Sequence, residues 1–288
     1  MKWVASSLAT VFALGLFLTS SSPLAASEDA PNRIKPEYLP PERSEQQPVY
    51  ELLKSRHTLE RVQEIFSPFR IPVDLRVETK TCGMVNAYYQ RKARNASLTI
   101  CYELIDHILK RAPEAVTPAG VAPADAVVGH FFYVVAHEMG HAMFDLLEIP
   151  VFGRQEDAAD QFSAYIMLQF GRADARRLIT GAAYSYKEFV DKPSLTIPMK
   201  TFSDAHGAFA QRFYNLLCMA YGADQKLFAD VVSKGFLPQE RAQACPWEYQ
   251  LIAYAFRQLI RPHLDEQLAK QVLKSDWLPE DIGPPRPQ

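Results

Sequence analysis

Apolar residues recur at helical spacing from Val49 to Phe66, at Leu52, Leu53, Leu59, Val62, Ile65 and Phe66, which predicts a first helix. The period then drops to two. "VDLRVETKTC" (73–82) alternates like a half-buried strand, and "GMVNAYYQ" and "ASLTICYEL" set β-type residues on either side of the charged turn "RKARNA". These runs predict a small antiparallel sheet. From Tyr102 the helical period returns. "CYELIDHILKRA" gives one helix, a Pro/Ala/Gly loop follows, and "DAVVGHFFYVVAHEMGHAMFDLLE" is long, apolar and headed by Asp125 as an N-cap. After the break "IPVFGR" comes "QEDAADQFSAYIMLQF", and "DAHGAFAQRFYNLLCMAYG" and "WEYQLIAYAFRQLIRPHL" again read as helices. No internal repeat is present. The pattern implies an α+β fold, a small sheet with a mostly helical remainder.

The ends read differently. Lys2, the short apolar run "LATVFALGLFL" and the small residues of "SSSPLAAS" have the layout of a cleavable export signal over residues 1–27. That run is too short to span a bilayer comfortably, and no later stretch is long and uncharged enough to do so. The mature chain is therefore expected in the periplasm or the medium, with no transmembrane span. Residues 28–48, "EDAPNRIKPEYLPPERSEQQP", are polar and Pro-rich and read as an extended arm, one able to lie over a functional cleft. Residues 49–278 are expected to form one domain, and residues 279–288 a loose tail.

With 48% hydrophobic residues in 288, there is ample material for a large core. The net charge of -2 and the lack of a clustered Lys/Arg run argue against a nucleic-acid partner. The four cysteines form an even set with no CxxC pair, which in an exported chain reads as disulfides. The sequence-local pairing, Cys82–Cys101 and Cys218–Cys245, is expected because each pair brackets a single hairpin or helical unit.

The candidate chemistry is concentrated in "HEMGH". His137 and His141 lie one turn apart on one helix face, where two imidazoles can hold one zinc ion, and Glu138 beside them can act as general base. A catalytic zinc needs a third protein ligand. "EDAAD" follows on the next helix, with Glu156 able to reach the ion and Asp160 able to orient a ligand imidazole. Taken alone, "EDAAD" would be a solvated acidic face; beside HEMGH it reads as part of a metal site. His130 shares that helix face but lies about 10.5 Å away along the axis, too far for the same ion, and reads as a packed or lining residue. Asp145 is open between an outer-shell role and a solvated one. Phe131–Tyr133 read as core, and there is no phosphate loop or nucleophile elbow.

HExxH followed by ExxAD resembles the Glu-zincin metallopeptidases, in particular the branch holding the CAAX-type prenyl endopeptidases and the HtpX-like membrane proteases. "NAYY" before the helix is similar to that group's NAxx edge strand, and "DAHGAFAQR" to its HPxxxxR element, with Gly207 where the group has proline. The resemblance implies a zincin-like fold and one Zn2+. It also implies that Asn86 and Ala87 bind the peptide, that His206 steadies the oxyanion, and that Arg212 supports the site. "CGMVNAYY", "HEMGHAMFDLLEIPVFGRQEDAADQFSA", "QRFYNLLCMAYG" and "LPQERAQACPWEY" further resemble secreted bacterial proteins grouped as a domain of unknown function and described as metallopeptidases. The expected activity is zinc-dependent hydrolysis of a peptide or protein substrate, with Glu138 as general base. Two alternatives stay open: a catalytically silent zinc protein that binds a peptide or partner in the cell envelope, and a zinc hydrolase acting on a non-peptide amide. Nothing in the sequence indicates an oligomeric state.

Overall fold

The computed structural model describes residues 32–93, 95–186 and 198–278. The export signal and the tail lie outside the described residues. Strands β1 (Ile34–Tyr38), β2 (Leu75–Lys80), β3 (Ala87–Lys92) and β4 (Asn95–Cys101) form one sheet in the order β1-β2-β4-β3. The expected antiparallel sheet is in fact mixed. Only the β3–β4 hairpin is antiparallel, while β1 pairs in parallel with β2 and β2 with β4. The cause is the connection between β1 and β2. It holds helices α1 (Gln47–Ser55) and α2 (Thr58–Phe66), long enough to return the chain to the starting end of the sheet. The predicted single helix over 49–66 is thus two, broken where His57 takes a left-handed conformation at φ 49°.

Ile34–Tyr38, which the sequence assigns to an arm, is the far edge of this sheet, on the side opposite β3. The described part of the arm therefore does not cover β3. On one face of the sheet the central residues Leu75, Val77, Leu98 and Ile100 are wholly buried.

Helix α3 (Tyr102–Arg111) leads into α4 (Pro123–Leu146), which is apolar nearly all round and runs through the core, with its Val135, Ala136, Met139 and Ala142 fully inaccessible. Pro123 occupies the first turn of α4 and Ala122 is its N-cap, so Asp125 does not cap it. Instead Asp125 accepts from Arg177 Nε at 2.7 Å. Helices α5 (Gln155–Met167) and α6 (Arg172–Tyr184) pack on α4. The α4–α6 crossing brings backbone against backbone. A Cβ on Gly129 would stand 2.5 Å from Leu178 O, and one on Gly181 would stand 1.8 Å from Asp125 O.

Two later helices, α7 (Phe209–Ala223) and α8 (Cys245–Leu259), lie side by side, joined by Cys218–Cys245 with Cα atoms 5.0 Å apart. Cys82–Cys101 ties the stretch before β3 to the end of β4, with Cα atoms 5.5 Å apart. Beyond α8 the chain returns to the segment after α2. Phe69 bridges Leu264, Arg70 N donates to His263 O at 2.8 Å, and Asp265 N donates to Pro68 O at 2.8 Å. Among the described residues no helix is long and apolar enough to cross a membrane.

Candidate metal centre

The middle of α4 supplies the first half of the site. Spacing by four sets His137 and His141 on one face, with Nε2 atoms 3.2 Å apart. A left-handed Glu148 and Gly153 at φ 112° turn the chain out of α4, and α5 starts at once. Glu156 and Asp157 thus sit in the first turn of α5, where the positive end of the helix dipole favours carboxylates. Glu156 Oε2 comes to 3.1 Å from His137 Nε2 and 3.3 Å from His141 Nε2.

These separations test the fit to a metal. Donors held about 2.0–2.1 Å from a tetrahedral zinc stand about 3.3 Å apart, which matches the observed set of two imidazoles and one carboxylate. The surroundings favour positive charge at the same point. Burial alone would lower the His137 pKa, but hydrogen bonds to Asp160 and Glu156 outweigh it and raise it to about 9. The hydrogen bond from His137, against the opposing effect of burial, brings Glu156 down to about 2. A metal ion and a proton compete for such a place. Arg212 is paired with Asp160, which leaves the Glu156 carboxylate among the imidazoles to meet a cation.

Each of the two imidazoles is oriented from behind. Asp160 Oδ1 lies 2.8 Å from His137 Nδ1, and Gln155 Oε1 lies 3.1 Å from His141 Nδ1. Asp160 is itself gripped by Arg212, at 2.7 Å from Nε and 2.6 Å from Nη2. Burial would raise the Asp160 pKa, yet the hydrogen bonds from His137 and Arg212 hold it well below the usual carboxylate range.

Glu138 lies on the neighbouring face of α4, against the sheet edge. Its Oε2 accepts the Tyr89 backbone N–H at 2.8 Å. Burial pushes its pKa up to about 7, with His137 and the Tyr89 N–H opposing. The Tyr89 hydroxyl donates to Asp145 at 2.6 Å, and Arg91 Nη1 reaches the same carboxylate at 3.4 Å. Asp145 therefore anchors β3 to the last turns of α4.

Of the two residues expected to bind substrate, Asn86 spends its carbonyl on Cys101 N–H at 3.1 Å, inside the sheet. Alternation along a hairpin then turns the main-chain groups of Ala87 and Tyr89 away from β4, where the Tyr89 N–H is taken by Glu138 and the Tyr89 carbonyl and Ala87 groups line the edge. His206, on the loop before α7, sets Nε2 2.8 Å from Glu156 Oε2. At Gly207 a Cβ would meet nothing nearer than 3.4 Å, so packing does not require glycine there. His130 lies away from this cluster, lining a cavity of about 300 Å³ with Lys110, Arg111 and Tyr184. Phe132 and Tyr133 are core.

The structure thus brings together His137, Glu138, His141, Glu156, Asp160, His206 and Arg212 from three separated stretches of chain. Gln155, Tyr89 and Arg154 belong to the same assembly and were not legible as such. The only available signal was the adjacency of Gln155 and Arg154 to Glu156, and the place of Tyr89 within the "NAYY" run. One further grouping able to hold a metal, Cys82, Cys101 and Glu103, has its two sulfurs bonded to each other. No curated protein and no solved structure gives a significant match to the chain. Residues 38–260 match the family described as "Putative metallopeptidase", and the chain belongs to that family.

Proposed function

We propose that the protein is an exported zinc-dependent endopeptidase of zincin-like fold. The observation that carries this reading is the convergence of His137 Nε2, His141 Nε2 and Glu156 Oε2 at 3.1–3.3 Å, with Glu138 alongside. Zinc held by those three residues supplies Lewis acidity, lowering the pKa of water and polarising a peptide carbonyl. Glu138 takes the proton of the attacking water and passes it to the leaving amine. Its Oε2 is engaged by the Tyr89 N–H, which leaves Oε1 for the proton. The edge of β3 at Ala87 and Tyr89 receives the substrate as an added strand. His206 and Arg212 act around the developing charge, the first beside the centre and the second through Asp160.

The test compares zinc-loaded protein with its Glu138→Gln variant on a mixture of unstructured peptides. The expected result is cleavage by the first and a rate lower by about 10²–10⁴-fold for the second. If zinc is bound and neither cleaves, the endopeptidase reading fails and a peptide-binding zinc protein takes its place.

A further inference from the structure

Glu156 Oε2 has three imidazole neighbours: the Nε2 atoms of His137 at 3.1 Å, His141 at 3.3 Å and His206 at 2.8 Å. That is one imidazole more than a three-ligand catalytic centre uses. One donor atom from each of His137, Glu156 and His206 falls within 4.8 Å of the others, and the rings of His137 and His206 stack with centroids 5.8 Å apart.

His206 is also supported in the manner of a ligand. Metal-binding imidazoles turn their second nitrogen to a carboxylate, carbonyl or water. His137 does so toward Asp160, and His206 Nδ1 lies 3.4 Å from Asp204 Oδ1, which leaves Nε2 directed at Glu156. The Asp204 carboxylate additionally accepts the His206 backbone N–H at 2.9 Å. Arg154, the residue before Gln155, holds the loop from the other side, donating to Asp204 O at 2.8 Å and to Ala205 O. The difference between the imidazoles is their mounting. His137 is 5% exposed in the middle of α4, whereas His206 is 45% exposed on a loop.

Building on the metallopeptidase reading above, we propose that His206 is a fourth, displaceable protein ligand. At rest it adds a donor on the His137–Glu156 side of the centre, and it withdraws on its loop when a peptide enters the groove. The protein is then latent at rest, and opening the centre costs the His206 bond to the ion and the movement of an exposed loop. After withdrawal the same imidazole stands beside the reacting carbonyl, so the two roles succeed one another.

The experiment reads metal binding and does not depend on turnover. The full chain is stripped with a chelator and reloaded with Zn2+ for affinity and with Co2+ for its visible absorption. His206→Ala is expected to lower zinc affinity at least tenfold, shift the cobalt bands, and let added azide perturb them at lower concentration than in the unsubstituted protein. Arg154→Ala, which keeps the imidazole and loosens its loop, is expected to move all three readouts in the same direction by less. Affinity and cobalt spectra unchanged in both variants would overturn the proposal while leaving a three-ligand metallopeptidase intact. A chain that binds neither ion would bring down that underlying reading as well.

Discussion

Asp160 carries two structural jobs on one carboxylate: it sets the His137 ring and it neutralises the buried Arg212. Asp160→Asn keeps the size and removes the charge. Zinc affinity should fall by about 10–100-fold in competition with a chromophoric chelator, as for other outer partners of metal ligands. Because Arg212 is only 13% exposed and loses its charge partner, thermal unfolding should also report a loss on the order of 3 kcal/mol. At this scale much of the site was legible. HEMGH sets two imidazoles and EDAAD two carboxylates at a spacing of four, and helices turn that spacing into a shared face. What escaped were contacts made by common polar residues across the fold. Gln155 on His141, the Tyr89 amide on Glu138 and Arg154 on the His206 loop carry no spacing signal, because each partner arrives from a different element.

The elements that were missed are those whose packing does not rest on large apolar side chains. Helix α6, "RADARRLITGAAY", has little periodic bulk and docks by letting Gly181 touch the backbone of α4. Gly181→Ala should therefore destabilise by about 3 kcal/mol or more, seen as a lower Tm, since the Cβ would face backbone that cannot rotate away. An exposed glycine-to-alanine change in a helix would normally stabilise. Strand β1 was hidden for a related reason: in Ile34–Tyr38 only Ile34 is buried, so the period-two signal is one residue deep. The parallel pairing follows from where β1 lies, and pairing direction has no local signature. The sequence-local pairing matches both bridges, although only Cys82–Cys101 encloses a single hairpin; Cys218–Cys245 joins two packed helices. Replacing Cys218 and Cys245 together by Ala should cost about 2–4 kcal/mol in denaturant unfolding, by the loop-constraint argument for a bridge spanning 27 residues.

For the molecule as a whole, α4 holds the framework and the candidate metal centre at once: the helix that fills the core also carries His137, Glu138 and His141. Metal should consequently stabilise the entire fold. At free zinc about a hundredfold above Kd, linkage adds about 2.7 kcal/mol, and a chelator scan should lower Tm in proportion. A Tm indifferent to chelation would mean that the ion is not bound at the core. The contact between Pro68–Arg70 and His263–Asp265 has another consequence. Its partners are 195 residues apart, as measured between Arg70 and Asp265, so closing it demands nearly the whole chain. While the polypeptide is still being made, the segment after α2 has no mate, and Phe69 must wait exposed or in passing contacts. Native closure is thus deferred until synthesis is almost complete, and a chain cut before His263 would carry His137, His141 and Glu156 yet leave Pro68–Arg70 without its mate.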